Sequence, residues 1–285
     1  MGFESLHGSP FRSGPASGPA GPVSDLVEPV DSLPDEAILA RVDASIHRLA
    51  RASGPETVAV HEAAGLDGSD WRDGRVAVIL SGSFNPLHRA HLSLLEAAAL
   101  EARRAADGAQ VITALSLSAR TVGKERPTGM ALADRAWTMH ASLCEGSGPP
   151  YGVALLSSHG LYLDQATALR AAMPRLADTG LWFAVGHDKV LQILDPRYYS
   201  DRDASLDDLF SRAGLLVAPR DEMTGDHLHR LLERPENRRF ASRVRPVAIP
   251  PALAFVSSTA FRAGEASRDL VPPAVTAMIT ARRCY

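Results

Sequence analysis

Hydrophobic positions along the chain fall into two patterns. Short, largely apolar runs occur at 76–80 (VAVIL), 111–117 (VITALSL), 153–157 (VALLS), 181–185 (LWFAV), 215–218 (LLVA) and 244–249 (VRPVAI), and each predicts a strand. Between them, apolar residues recur every three or four positions and predict helices near 89–106, 129–145, 163–173 and 225–242. Upstream, Ile38, Val42, Ile46 and Leu49 form one more helical stripe, with Ser32 as a candidate cap and Asp35 three residues on.

The strand runs are continuous rather than alternating, as expected when helices cover both faces of a parallel sheet. Strand and helix alternate without a long internal repeat, which predicts an α/β fold, a doubly wound Rossmann-like parallel sheet with helices on both faces. Residues 1–31 are rich in Gly, Pro and Ser with few apolar anchors and read as a disordered tail. Residues 32–74 read as an N-terminal helix and loop packed on the core, and 75–285 as the main domain. The loop GLDGSDWRDG at 65–74 lacks the spacing of a calcium loop and reads as a solvated turn.

Composition narrows the partners. With 285 residues, 45% of them hydrophobic, the chain can bury a substantial core. A formal charge of −3 gives no basic footprint for nucleic acid or an anionic membrane, so small molecules are the expected partners. No apolar run reaches the roughly 20 residues of a membrane span and the N-terminus lacks an apolar signal core, which predicts a cytoplasmic protein. Cys144 and Cys284 match no zinc or redox spacing and read as incidental thiols. Homo-oligomerisation stays open.

The chemistry begins where the first run ends. Residues 82–93 read GSFNPLHRAHLS: Gly82 permits close backbone approach, Pro86 restricts Asn85 to an extended conformation, and a helix follows. Ligands of doubly wound folds sit outside the carboxyl ends of the strands. His88 and His91 are three apart and share one side of the first helical turn, where the helix dipole and free N–H groups favour phosphate. Two other readings remain at this point: ordinary histidines at a helix start, and a zinc site, which lacks a third ligand at recognisable spacing. A second motif, VSSTAFR at 256–262, offers Ser257 or Ser258 as a cap, Thr259 for phosphate oxygens and Arg262 as a charged fork. The two together form a matched pair of phosphate-binding helix starts.

GSFNPLHRAH with a late SSTAFR resembles the HxGH and ISSTxxR signatures of the nucleotidylyltransferase superfamily, most closely the nicotinamide/nicotinate mononucleotide adenylyltransferases. The likeness extends over roughly 75–285. GHDKVLQILDPRYY at 186–199 is similar to the family's nucleotide-contacting GxDxL segment, which implicates Gly186 and Asp188. SARTVGKERPTG at 118–129 resembles the loop after the second strand, where Lys124 matches a phosphate-contacting lysine, and LVPPAVTAMITARRCY resembles the closing helix. Ala90 stands where the family has glycine, and Phe261 stands where an aliphatic residue is usual and is expected in the core.

The resemblance implies an adenylyltransferase joining ATP and nicotinamide or nicotinate mononucleotide, with Mg²⁺ arriving on ATP and no protein nucleophile. His88, His91, Lys124 and Arg262 would be catalytic. Gly82, Ser83, Phe84, Gly186, Asp188, Ser258 and Thr259 would bind ATP or substrate. The alternatives are adenylyl or cytidylyl transfer to another phosphorylated small molecule, and a nucleotide-binding module without catalysis. A class I aminoacyl-tRNA synthetase is disfavoured by length, charge and the lack of a lysine-rich second signature. His227 and His229 fall on different helix faces and read as solvated, Trp182 reads as core, Tyr162 is a candidate to stack on the pyridine ring, and Tyr198 and Tyr199 are unassigned.

Overall fold

The computed structural model of the protein describes residues 33–68, 70–106, 108–120, 129–150, 152–218 and 225–285. The tail reading for 1–31, the cap proposed at Ser32 and the role proposed for Lys124 lie outside the described residues.

Helix α1 (Glu36–Ala50) starts one residue after Asp35, whose carboxylate accepts the N–H of Ala37 at 3.1 Å. Asp35 is therefore the cap itself, not the third residue of a box begun at Ser32. Leu39, Val42, Ile46 and Leu49 are its buried face. Strand β1 (Thr57–Ala59) and helix α2 (Val60–Ala64) follow. Neither is anticipated by periodicity, because three and five residues are too few to show a period. The turn at 65–74 is anchored rather than fully solvated: Trp71 is buried, and Arg72 lies over its ring while pairing with Glu62.

The remaining strands are β2 (Val76–Ser81), β3 (Val111–Ser118), β4 (Gly152–Ser157), β5 (Leu181–Gly186), β6 (Gly214–Ala218) and β7 (Val244–Pro246). Between and after them come α3 (Arg89–Ala105), α4 (Leu132–Cys144), α5 (Tyr162–Ala172), α6 (His187–Leu194), α7 (Arg202–Arg212), α8 (Gly225–Glu233), α9 (Pro251–Ala254), α10 (Ser258–Arg262) and α11 (Pro273–Arg282). The sheet order is β1-β4-β3-β2-β5-β6-β7, parallel throughout except for β1, which runs antiparallel against β4. From β2 the chain winds outward through β3 and β4, then returns to the other side of β2 with β5. The order thus reverses between β2 and β5, which makes a crevice at their carboxyl ends. This is the Rossmann-like α/β architecture expected from the alternation of runs.

Strands β2 to β6 each feed two cores. Val76, Val78 and Leu80 of β2 pack with α1, α3, α4 and α11, while Ala77 and Ile79 pack with α5, α6 and α7 on the other face. Period-two alternation is present, but both sets are apolar because both faces are covered. Trp182 is buried in β5, with the Arg243 and Arg245 guanidiniums each 5.1 Å from its ring.

Three departures from the sequence reading have local causes. The helix expected over 225–242 ends at Glu233, because Pro235 lacks an N–H and its ring obstructs the turn; a 3₁₀ segment then spans Arg238–Arg243. The last strand is regular only to Pro246, which cannot donate to the ladder. Helices α6 and α7 were not anticipated: α6 begins directly at the end of β5, and α7 is capped by Asp201, whose carboxylate accepts the Ala204 N–H at 3.0 Å. Among the described residues no helix is long and apolar enough to cross a membrane.

Candidate functional site

At the end of β2 the chain turns inward. The Gly82 N–H still donates to Ser116 O at 3.1 Å, so this amide extends the sheet and is not available to an anion. Phe84 adopts φ +42°, in the left-handed region, and its ring is fully buried. Phe84 and Leu87 thereby fix the loop to the core, while Gly82 and Ser83 stay on the wall of a cleft of about 540 Å³. A side-chain carbon built on Gly82 would lie 3.1 Å from the Phe84 ring, a second reason for glycine besides ligand approach. The Asn85–Pro86 peptide is cis.

The two sequence motifs meet through this loop. The Ser258 hydroxyl donates to Pro86 O at 2.9 Å, and Arg262 Nη1 donates to Asn85 O at 2.7 Å. Ser257, not Ser258, caps α10, accepting the Ala260 N–H at 3.1 Å. Arg262 Nη2 also donates to Thr259 Oγ1 at 3.2 Å. Segments more than 170 residues apart are thus held together by hydrogen bonds to consecutive backbone carbonyls. The Tyr285 hydroxyl donates to Asn85 Oδ1 and accepts the Met130 N–H at 3.2 Å, which adds a third anchor.

His88 is the extended residue before α3, and its ring stacks on His91 with centroids 3.7 Å apart and planes 20° from parallel. His91 Nδ1 accepts the His88 N–H at 3.3 Å, so a neutral His91 carries its proton on Nε2, the far side of the ring. Phe84 meets His91 edge-on at 5.2 Å. Both imidazoles, together with Ala90, line the cleft at the N-terminal end of a 17-residue helix.

Across the reversal point, Gly186 closes β5 and Asp188 occupies the first turn of α6; both line the same cleft. The structure therefore brings Gly82, Ser83, His88, His91, Gly186, Asp188, Ser258, Thr259 and Arg262 to one cleft. The Phe84 side chain belongs to the core instead, and Phe261 is buried as expected. Tyr162 reaches the cleft while its ring packs edge-on to Phe183 at 4.9 Å, and burial pushes its hydroxyl pKa upward. Tyr199 donates its hydroxyl to Ile193 O at 2.7 Å, which is a structural use; Tyr198 is exposed. His229 pairs with Glu233 along an exposed helix face.

Arg120 and Arg135 line the cleft without having been assigned to it from the sequence. Arg120 closes the described part of the chain after β3: Nε donates to Ala50 O at 2.8 Å, Nη2 to Ala52 O at 2.5 Å, and Nη1 to His159 Nε2 at 2.8 Å. Arg135, in the first turn of α4, donates from Nε to Met130 O at 2.8 Å and from Nη1 to Ser83 O at 3.4 Å. Burial pushes the Arg135 pKa down and Arg262 adds to it, while the Tyr285 hydroxyl and Asp134 oppose it. Arg120 sits within a quoted motif whose visible cation was Lys124. Nothing local in the sequence marks Arg135 as buried. Among the described residues no carboxylate lies within ion-pair distance of Arg120, Arg135 or Arg262, and no cluster of His, Cys, Asp and Glu could hold a metal ion. The arrangement can bind phosphate-rich anions, with imidazoles placed to donate hydrogen bonds to them. Comparisons of the chain with protein-family models and with curated proteins returned no match.

Proposed function

We propose that the protein is an adenylyltransferase that joins ATP to nicotinamide or nicotinate mononucleotide. The observation carrying this reading is the coupling of GSFNPLHRAH to SSTAFR through Ser258–Pro86 and Arg262–Asn85, at the strand-order reversal of a Rossmann-like sheet. Three guanidiniums without acidic partners among the described residues suit a site where two phosphorylated substrates meet. In the reaction, an oxygen of the mononucleotide 5'-phosphate attacks the α-phosphorus of ATP in line. The bond from that phosphorus to the β-bridging oxygen breaks, pyrophosphate leaves with the electron pair, and a dinucleotide remains.

Catalysis of this kind rests on alignment and charge stabilisation. His91 Nε2–H and the His88 ring would hydrogen-bond triphosphate oxygens as charge moves onto the leaving group. Arg262 and Thr259 would hold the β and γ phosphates, and Lys124 would neutralise the incoming phosphate. Asp188 and Gly186 would contact the nucleotide. Mg²⁺ would enter as part of the ATP substrate, with phosphate oxygens and water as most of its ligands.

The test is pyrophosphate release with ATP and a panel of nicotinamide mononucleotide, nicotinate mononucleotide, phosphopantetheine and sugar phosphates. Release with either pyridine mononucleotide is expected. Release only with another member would move the reading to a different acceptor, and ATP binding without release from any would favour a non-catalytic nucleotide-binding module.

A further inference from the structure

Arg135 is 4% exposed, yet none of the ion pairs among the described residues includes it. Its neighbour Asp134 favours the charge but is itself engaged by Arg282 at 3.3 Å, and Arg262, of the same sign, acts against it. Buried arginines are rare unless paired, because carbonyl hydrogen bonds satisfy the N–H groups but leave the net charge in a poorly polarisable surrounding. A core that needed only volume at this point would be better filled by methionine or leucine.

The guanidinium also sits at a junction. It ties Met130 O, just after residues 121–128, to Ser83 O on the cleft wall, and Arg262 holds Asn85 O of the same loop. Two like charges thus hold carbonyls two residues apart in one loop, and both line the cleft.

We propose that Arg135 is a positioning residue for a polyphosphate in the cleft: it fixes the Ser83 loop, and its unbalanced charge is neutralised when the ligand's phosphates bind. This rests on reading the cleft as a phosphate site, and it adds a cation that neither motif contains. The buried charge raises the energy of the unliganded cleft and is relieved on binding, so part of the affinity resides beneath the loop.

The experiment is calorimetric titration of the full chain with inorganic tripolyphosphate, alongside Arg135→Met and Arg135→Lys, with thermal melts of each unliganded protein. The methionine variant should melt within a few degrees of the wild type and bind tripolyphosphate about tenfold or more weakly, while lysine, keeping the charge, should recover most of the affinity. Wild-type affinity in a folded methionine variant, or a lysine variant as weak as methionine, overturns the proposal. Should the methionine variant fail to fold, the lysine variant decides: binding within about fivefold of wild type supports a charge role, and a loss beyond about tenfold overturns it. A wild-type chain that does not bind tripolyphosphate would instead remove the phosphate reading of the cleft. Because the probe is inorganic, the result is independent of which acceptor the protein uses.

Discussion

Gly82 meets two demands at one position: its N–H extends the β2–β3 ladder, and its missing side chain leaves room for the Phe84 ring. Phe84 is fully buried and cannot swing aside. Gly82→Ala is therefore expected to lower the unfolding free energy by about 1–3 kcal/mol, through overpacking, in urea titrations. Unchanged stability would mean that the ring is not the constraint. In the proposed adenylyl transfer, the expected effect at His91 is on turnover rather than folding. The ring accepts the His88 N–H and presents Nε2–H on its far side, so His91→Ala should lower kcat by about 10² with an unchanged circular dichroism spectrum, as loss of a preorganised donor does. Near-normal turnover in a folded variant would take His91 out of the mechanism.

At the level of elements, α4 carries a histidine unrelated to the cleft, His140. His140 packs edge-on to Trp137 at 5.4 Å, lies 6.1 Å from the His61 ring and has Cys144 Sγ at 3.7 Å. Burial pushes its pKa down from 6.5 to about 4, and the neighbouring His61, itself lowered by burial, acts in the same direction. Because the folded value lies below the unfolded one, the unfolded chain binds the proton first. His140's contribution is complete above its unfolded pKa of 6.5, falls as pH drops from there to about 4, and is level below that. The loss should reach about 3 kcal/mol at most. His140→Leu should flatten this slope in denaturant titrations across that range; an equally steep slope would place its origin elsewhere. Elements differ in how legible they were. The α1 stripe repeats along 15 residues and the β2 run is a continuous apolar stretch, whereas β1 has three residues and shows neither. The expected 225–242 helix overran because its apolar spacing continues past Pro235, where the backbone cannot.

For the whole molecule, Arg120 connects the N-terminal layer to the cleft. Its guanidinium bonds the carbonyls of Ala50 and Ala52 at the end of α1 and the His159 ring, whose Nδ1 meets Ser158 Oγ at 2.8 Å; that hydroxyl in turn accepts the Glu56 N–H beside β1. Arg120→Gln should cost about 2 kcal/mol of unfolding free energy, by the loss of charge-assisted bonds that span the two layers. A change within a few tenths would show that the layers are held by apolar contact alone. Sequence by itself determined the sheet-forming runs, their two covered faces, and the residue types at each end of the cleft, because periodicity, glycine, histidine and serine placement act locally. Tertiary structure alone decided which carbonyls Ser258 and Arg262 hold, that Ser257 rather than Ser258 caps α10, and that the Gly82 amide belongs to the sheet. It also decided that Arg120 and Arg135 belong to the cleft. Those outcomes depend on partners tens to hundreds of residues away, and burial of a single charged side chain leaves no period in the sequence for a local reading to find.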